Sequence, residues 1–197
     1  MTSLAPVVLS GWGVRLEPLA REHAGLLAEA SADGELWKLN YTSAPGPDAE
    51  AAARYIESAL QGKQGGAMLP FVVRQTDGAV LGSTRFYGID NRVPTLAIGY
   101  TWYRASVQRT HVNTACKRLL LGHAFDMSGM RAVYLHTSHA NLRSQTAIER
   151  LGAHRDGVIR QHRRHNDGSL GDTVSYSILD REWPAIRERL DASLARN

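Results

Sequence analysis

The first half of the chain shows hydrophobic patterns typical of strands, interrupted by two helical segments. Residues 14–19 alternate apolar and polar side chains, which predicts an opening strand. Apolar residues at helical spacing predict a first helix over 21–30. Asp48 is a suitable N-cap for a second helix over 49–60. Hydrophobic runs bounded by turn residues then predict three antiparallel strands, over 70–74, 80–87 and 95–103.

The second half alternates helices and strands. The patterns predict helices over 114–127 and 141–151 and from about Glu182, and strands over 132–137, 158–164 and 173–179. The Asn-Asp-Gly turn at 166–168 favours a hairpin between the last two strands. This succession predicts an α/β (α+β) fold, with a mixed, mostly antiparallel sheet of about seven strands and flanking helices. We expect a single domain over residues 1–197.

Composition adds constraints on the environment and on partners. The chain has 197 residues, 43% of them hydrophobic and 21% charged, which is typical of a soluble globular protein. Its one cysteine, Cys116, excludes an intrachain disulfide, and no signal peptide or membrane span is evident, so we expect a cytoplasmic protein that has no membrane partner. The net charge of +4 comes mostly from arginine and favours a polyanionic ligand.

A polar loop at 108–113 joins the strand over 95–103 to the helix that follows. The start of a helix exposes unpaired backbone N–H groups at the positive end of the helix dipole, and Arg109 adds a positive charge there. The sequence therefore predicts a phosphate-binding loop. The alternative is a basic loop that only caps a surface helix.

Four motifs in order along the chain resemble one family. They are Gly99 to Tyr103 (GYTWY), Arg109 to Thr114 (RTHVNT), Asn141 to Ala153 (NLRSQTAIERLGA) and Asp172 to Pro184 (DTVSYSILDREWP). Together they resemble the GNAT acyl-CoA N-acyltransferase superfamily, and most closely its bacterial Rim-type branch of ribosomal-protein N-acetyltransferase-like proteins. In the pyrophosphate loop of this family, Q/R-x-x-G-x-G/A, two glycines stand where this chain has His111 and Asn113.

The resemblance implies a site for acetyl-CoA. A bulged strand would splay from its parallel neighbour and bind the pantetheine arm along Thr101, Trp102 and Tyr103. The loop would hold the pyrophosphate through Gln108, Arg109, Thr110, His111, Val112, Asn113 and Thr114. Asn141 would contact the pantetheine and Ser144 would lie near the thiol. The structural alternatives are an N-cap role for Asn141 and a plain surface serine at 144.

The implied reaction is direct transfer of the acetyl group from the thioester to a primary amine, either on a small molecule or at a protein N-terminus. A backbone N–H near Tyr100 or Thr101 would polarise the carbonyl, and Ser144 would protonate the sulfur. Related sequences often carry a glutamate at the position of Ala97, so the usual general base is missing. An α-amine, with a pKa of roughly 8, needs less help from a base than a lysine side chain does.

The aromatic, histidine and basic residues outside the four motifs allow alternative interpretations. The aromatic residues Trp37, Tyr41 and Tyr87 line an acceptor groove in one interpretation and pack in the core in the other. The histidine pairs 136/139 and 162/165 have odd spacing and lack further ligands, so we predict no metal site. The basic run at 160–165 suggests, as an alternative function, a module that binds an acidic protein or a nucleic acid without catalysis, although no nucleic-acid motif accompanies the run. A CoA-binding protein without turnover and a homodimer are further alternatives.

Overall fold

Eight strands form one sheet in the computed structural model, which describes residues 5–196. The strands are β1 (Leu9–Gly11), β2 (Val14–Pro18), β3 (Met68–Gln75), β4 (Val80–Asp90), β5 (Thr95–Tyr103), β6 (Ala132–Ser138), β7 (His154–Arg164) and β8 (Leu170–Leu179). Their spatial order is β1-β2-β3-β4-β5-β6-β8-β7. All neighbours are antiparallel except β5 and β6, which are parallel. The predicted fold class, a mixed and mostly antiparallel sheet with helices, is confirmed.

Five α-helices cover the two faces of the sheet. They are α1 (Ala24–Ala32), α2 (Ala49–Gln64), α3 (Val112–Gly122), α4 (Leu142–Leu151) and α5 (Trp183–Leu194). One buried cluster contains residues of α3, α4 and α5 together with Phe71 and Phe86 of the sheet. A second cluster contains residues of α1 and α2 together with Val72 and Trp102. Within residues 5–196, every helix is too short or too polar to cross a membrane.

The sheet has eight strands where about seven were expected, because β1 was not predicted. This strand has three residues, too few for an alternating pattern to stand out. The Trp12-Gly13 turn, with both residues at positive φ, connects it to β2. That geometry is the one that tight hairpins prefer. Helix α3 also differs from the prediction, since it begins at Val112 and passes into a π-helical turn over His123–Met127.

The sheet opens between β5 and β6. These two parallel strands pair only from Thr95 to Ile98, opposite Ala132 to Leu135. Beyond that point β5 continues beside β4, while β6 continues beside β8. The far edge of β5 from Gly99 to Tyr103 therefore has no partner strand, and a gap begins in the middle of the sheet.

A bulge in β5 lies at the start of this gap. Arg85 of β4 faces Gly99 and Ser83 faces Trp102, so β5 has one extra residue. Tyr100 takes up the extra residue with φ of 51°. Gly82 of β4 permits the close approach, because a Cβ atom there would lie 2.0 Å from the carbonyl oxygen of Trp102.

Candidate active site

The gap between β5 and β6 forms a cleft of about 1200 Å³. Its walls come from the bulged part of β5, the end of β6, the loop before α3, the face of α4, the segment around Tyr41 and the β7–β8 hairpin. Thirteen of the residues selected from the sequence line it: Tyr41, Tyr87, Tyr100, Thr101, Trp102, Tyr103, Gln108, Arg109, Thr110, Asn113, Thr114, Asn141 and Ser144. The fold thus brings together side chains from positions that lie far apart in the sequence.

Three selected residues lie outside the lining of this cleft. Trp37 is half-buried in a short 3₁₀ turn, with the ammonium of Lys38 above its ring. The His111 imidazole Nε2 lies 3.1 Å from the carbonyl oxygen of Trp12, towards the β1–β2 turn. Val112 is buried in the core.

The loop before α3 presents unpaired donors. In the part of the chain that the structure describes, the backbone N–H groups of Thr110, His111, Asn113 and Thr114 have no hydrogen-bond acceptor. Arg109, at the turn of the loop, has φ of 63° and an exposed side chain. Free N–H groups at a helix start, next to an arginine, form a site suited to a phosphate group.

Gln108 and Arg143 form a bridge across the mouth of the cleft. The Gln108 side chain donates from Nε2 to the carbonyl oxygen of Tyr103 at 2.9 Å, and its Oε1 accepts from Arg143 Nη2. The bridge connects the end of β5 to α4. Because Arg143 is exposed and bound only to a neutral amide, its charge is available to an anion at the mouth.

Asn141 is the N-cap of α4. Its Oδ1 accepts from the Ser144 backbone N–H at 3.0 Å. The structural alternative for Asn141 is thus realised, and it leaves the side-chain NH₂ group free for a ligand. The Ser144 hydroxyl lines the cleft and bonds to no described residue.

Two neighbouring aromatic side chains and a histidine form one part of the floor. The Tyr87 ring packs edge-on against Tyr100, and it lies over Gly99, where a Cβ would come within 2.7 Å of its Cε1. The Tyr87 hydroxyl is 2.9 Å from Nδ1 of His136. Burial raises the pKa of Tyr87 to about 12, so the phenol stays protonated. Burial, Arg163 and His162 lower the pKa of His136, so the imidazole is neutral at pH 7.

A buried lysine lies beside β5 on α3. Lys117 is 5% exposed, and its Nζ donates to Thr101 Oγ1 at 3.0 Å. Burial lowers the pKa of Lys117 to about 8. Sequence analysis missed both Lys117 and His136 as site residues. The helical and strand patterns gave their elements, whereas only the splay of β5 from β6 exposes them to the cleft.

The lining of the cleft is strongly positive. It contains seven arginines and one lysine, and no aspartate or glutamate of the described chain contributes to it. Ala97, at the position where the resemblance leads one to look for a glutamate, is 4% exposed and has a side chain that cannot titrate. Among residues 5–196 there is no group of three or more histidine, cysteine or acidic side chains that could hold a metal ion.

The family model described as "Acetyltransferase (GNAT) domain" matches residues 14–154, and this range contains β2 to β6 and the loop before α3. The chain belongs to the GNAT acetyltransferase family. The GNAT resemblance inferred from the four motifs is confirmed, and with it the expectation of an acyltransferase.

Solved structures agree with the GNAT assignment. A candidate acetyltransferase of T. thermophilus is 32% identical with a TM-score of 0.85, and the match covers 96% of this chain and 98% of that one. A GCN5-related N-acetyltransferase of Brucella melitensis is 26% identical with a TM-score of 0.88, over 98% of this chain and 87% of that one. Mycobacterium smegmatis RimJ, solved with CoA-disulfide, shares the fold at 18% identity and a TM-score of 0.78, over 96% and 93%. A search of curated protein sequences gives no significant match.

Proposed function

We propose that this GNAT protein is an acetyl-CoA-dependent N-acetyltransferase that acts on a primary amine. The main observation in support is the unpaired edge of β5. It leads from the free N–H groups before α3 to the bulge at Tyr100, and both lie within the cleft. Acetyl-CoA would supply an acetyl group activated as a thioester.

The residues present suit the chemistry of CoA. Its pyrophosphate needs backbone donors and positive charge, which the N–H groups of Thr110, Asn113 and Thr114 and the side chain of Arg109 offer. Its pantetheine amides need an open strand edge, which residues Gly99 to Tyr103 offer. RimJ in complex with CoA-disulfide and the MccE enzyme in complex with acetyl-CoA have related folds, which supports the same placement here.

Backbone and side-chain groups of the bulge region would assist acetyl transfer. The extra residue at Tyr100 leaves Tyr100 and Thr101 without a paired residue on β4. A backbone N–H at one of these two positions would polarise the thioester carbonyl. The Ser144 hydroxyl has no hydrogen-bond partner among the described residues and belongs to the α4 wall. It would donate a proton to the sulfur as the C–S bond breaks and would regain one from solvent. These roles are proposed for Tyr100 and Ser144 as the catalytic pair.

His136 would receive the proton of the attacking amine. It is a neutral imidazole in the cleft, and the position of the expected carboxylate is occupied by Ala97. An imidazole can accept a proton near neutral pH, which suits an amine of low pKa such as an α-amine. A protein N-terminus is therefore included in the proposal, in line with the fold similarity to RimL, a ribosomal L7/L12 α-N-protein acetyltransferase.

The glycine-poor loop motivates the alternative of a CoA-binding protein without turnover. His111 makes its contact with Trp12 outside the cleft, so its side chain does not occupy the phosphate site. This orientation supports CoA binding under both hypotheses, so turnover is the property that separates them.

The first experiment is calorimetric titration with acetyl-CoA of the wild type and of Arg109→Gly. Glycine adopts the positive φ of position 109 freely, so the variant removes the guanidinium without straining the loop. We expect micromolar binding by the wild type and about tenfold weaker binding by the variant. Arg92→Gly, at the exposed β4–β5 turn, is the matched control and should bind like the wild type. Absence of binding by the wild type would refute the proposal.

Turnover is then measured as CoA release in the presence of peptides with free α-amines. Release by the wild type and its loss in Ser144→Ala with unchanged acetyl-CoA affinity would support the catalytic assignment. Tight binding without release for any amine would instead support the degenerate alternative.

A further inference from the structure

The β7–β8 hairpin brings a second positive region to the cleft, on the side away from the phosphate loop. His162, Arg163, Arg164 and His165 all line the cleft there. The Arg164 guanidinium is bound to the carbonyl oxygen of Gly168 at 2.8 Å. The half-buried Arg163 side chain makes no hydrogen bond or ion pair with any described residue. Arg163 lines the same cleft as Tyr87 and His136, and its charge lowers the pKa of both.

Arg85 is a second guanidinium without a counter-ion beside this floor. It is 3% exposed and lies between two rings, with its Cζ 4.5 Å from the centroids of both Tyr55 and Tyr100. Its Nε atom has no hydrogen-bond partner among residues 5–196. The cation–π contacts with Tyr55 and Tyr100 stabilise the guanidinium only in part.

No carboxylate of the described chain lines the cleft beside these charges. Within the hairpin, Asp167 accepts hydrogen bonds from Asn40 and Ser169, and Asp172 accepts one from the backbone N–H of Gln161. Asp156 of β7 accepts a hydrogen bond from Ser177 and raises the pKa of His136, but it does not line the cleft either. Burying cations without partners costs free energy, and a bound anion removes that cost. The part of the cleft lined by His136 and the β7–β8 hairpin, here called the acceptor side, therefore favours a negatively charged ligand.

At the acceptor side, a bridge of hydrogen bonds joins the tip of the β7–β8 hairpin to the segment around Asn40. Asn166 at the hairpin tip donates its backbone N–H to the carbonyl oxygen of Asn40 at 3.0 Å, and Asn40 Nδ2 donates to Asp167 at 2.7 Å. Both Asn40 and Asn166 line the cleft, so the bridge forms part of its wall.

We propose that the acceptor is an anionic amine, whose carboxylate or phosphate lies near the reacting amino group and is bound at Arg163, with Arg85 adding to the positive potential. This inference rests on the proposed acetyltransferase function and specifies its substrate class. Two sources have this chemistry: an acidic peptide N-terminus and a small amino compound with an acidic group.

The test measures equilibrium binding to the protein without acetyl-CoA, so that it is independent of turnover. The probes are two pentapeptide amides with free N-termini, Asp-Asp-Ala-Ala-Ala and Asn-Asn-Ala-Ala-Ala, titrated by calorimetry at pH 7.5 in low salt. We expect the acidic peptide to bind about tenfold more tightly than its neutral counterpart, as charge-assisted contacts do. Equal affinity of the two peptides would overturn the inference.

Variants at two arginines of β7 test whether the preference for the acidic peptide arises from the cleft. Arg163→Gln should abolish the preference, and Arg163→Lys should keep part of it because the charge remains. Arg160→Gln makes the same charge change at an exposed position of the same strand outside the cleft, so it should retain the wild-type preference. If Arg160→Gln and Arg163→Gln reduce the preference equally, the net charge of the protein decides binding and the inference is wrong.

Measurements of turnover distinguish an acidic peptide from a small acidic amine as the acceptor. They also distinguish failure of the anionic-acceptor hypothesis from failure of the acetyltransferase hypothesis. With acetyl-CoA present, the KM of the acidic peptide should rise about tenfold in Arg163→Gln while kcat changes little, since Arg163 acts on binding. Free aspartate, glutamate and O-phosphoethanolamine are compared with the acidic peptide to find the better source. Acetylation of lysine-rich or neutral amines at equal kcat/KM would refute the anionic acceptor while supporting the acetyltransferase. Failure to bind acetyl-CoA would refute the acetyltransferase alone, because the peptide titration does not use it.

Discussion

His136 is the titratable side chain that the mechanism uses most directly. Groups on three elements surround it: Tyr87 of β4, Tyr134 of its own strand, and Arg163, His162 and Asp156 of β7. Burial, Arg163 and His162 lower its pKa, whereas Asp156 acts in the opposite direction.

We predict that kcat/KM of the wild type rises with pH through this lowered pKa, because only the neutral imidazole accepts a proton. With the rate expressed per neutral amine, the midpoint of this rise should therefore lie below about pH 6.5, the ordinary value for histidine. His136→Gln should lower kcat by about 100-fold and remove the acidic limb. The measurement is a pH–rate profile, with the exposed His139→Gln as control. An acidic limb that persists in His136→Gln would assign the base elsewhere.

Lys117 makes a pH-dependent contribution to stability. Its folded pKa is about 8, below the ordinary value of 10.5, because the ammonium is buried. The unfolded chain therefore binds more protons than the folded one between these two values, and this group makes the protein more stable as pH rises through that range. Below pH 8 the full cost of burying the charge is present.

Lys117→Met should accordingly be more stable than the wild type at pH 7, by on the order of 2–3 kcal/mol. This advantage should shrink between pH 8 and 10.5, as the wild-type lysine loses its proton first in the folded and then in the unfolded state. Urea unfolding at a series of pH values measures the difference, and Lys63→Met at the end of α2 is the comparison. A stability difference that does not change with pH would contradict the assignment.

At the scale of elements, α3 is held in place by α5 as well as by the sheet. Arg118 of α3 donates to both carboxylate oxygens of Asp191 at 2.7 and 3.1 Å, and it stacks near the rings of Trp12 and Trp183. Its side chain is 17% exposed, so solvent screens this pair less than an ordinary surface ion pair. Since α3 begins at the phosphate loop, the pair also supports the position of that loop.

Arg118→Ala should lower the free energy of unfolding by about 2 kcal/mol, through the lost bidentate pair and the lost packing of its stem on the two tryptophans. Arg54→Ala removes the exposed pair with Glu50 on α2 and should cost less than about 0.5 kcal/mol. Chemical denaturation of both variants checks the contrast. Equal destabilisation by the two substitutions would mean that the α3–α5 ion pair contributes no more to stability than an exposed surface pair.

For the whole molecule, the charge of the cleft exceeds what the modest net charge of +4 suggests. The acidic residues lie elsewhere on the surface, many of them in exposed pairs such as Arg21 with Glu57 and Lys38 with Glu35. The separation of charge concentrates positive potential where the substrates would enter.

We therefore predict that the affinity for acetyl-CoA depends on salt. Raising NaCl from about 50 to about 300 mM should weaken binding several-fold, because screening shortens the range of the cleft potential. Calorimetric titration at a series of salt concentrations gives the slope of log Kd against log salt, and Arg109→Gly should reduce that slope. A Kd independent of salt would show that the charges of the cleft do not contribute to binding.

Local patterns in the sequence determined most elements and the family. Period-two and helical spacing, together with turn residues such as Asn166 to Gly168, placed seven of the eight strands and all five helices, because these signals depend on near neighbours along the chain. The short β1 gave no such signal. The motifs around Gly99, Arg109 and Asn141 named the GNAT superfamily, which the comparisons confirm. The single domain, the cytoplasmic location and the homodimer stay predictions.

Tertiary structure alone decided which side chains share the cleft. The splay of β5 from β6 exposes His136 and Lys117 to the cleft. The β7–β8 hairpin brings Arg163 to the same cleft, although Arg163 lies far along the chain from the bulge at Tyr100. It also turned the His111 side chain towards the β1–β2 turn and left Trp37 outside the cleft. Such placements depend on packing between distant segments and on the burial that shifts a pKa, and neither property is encoded in the local order of residues.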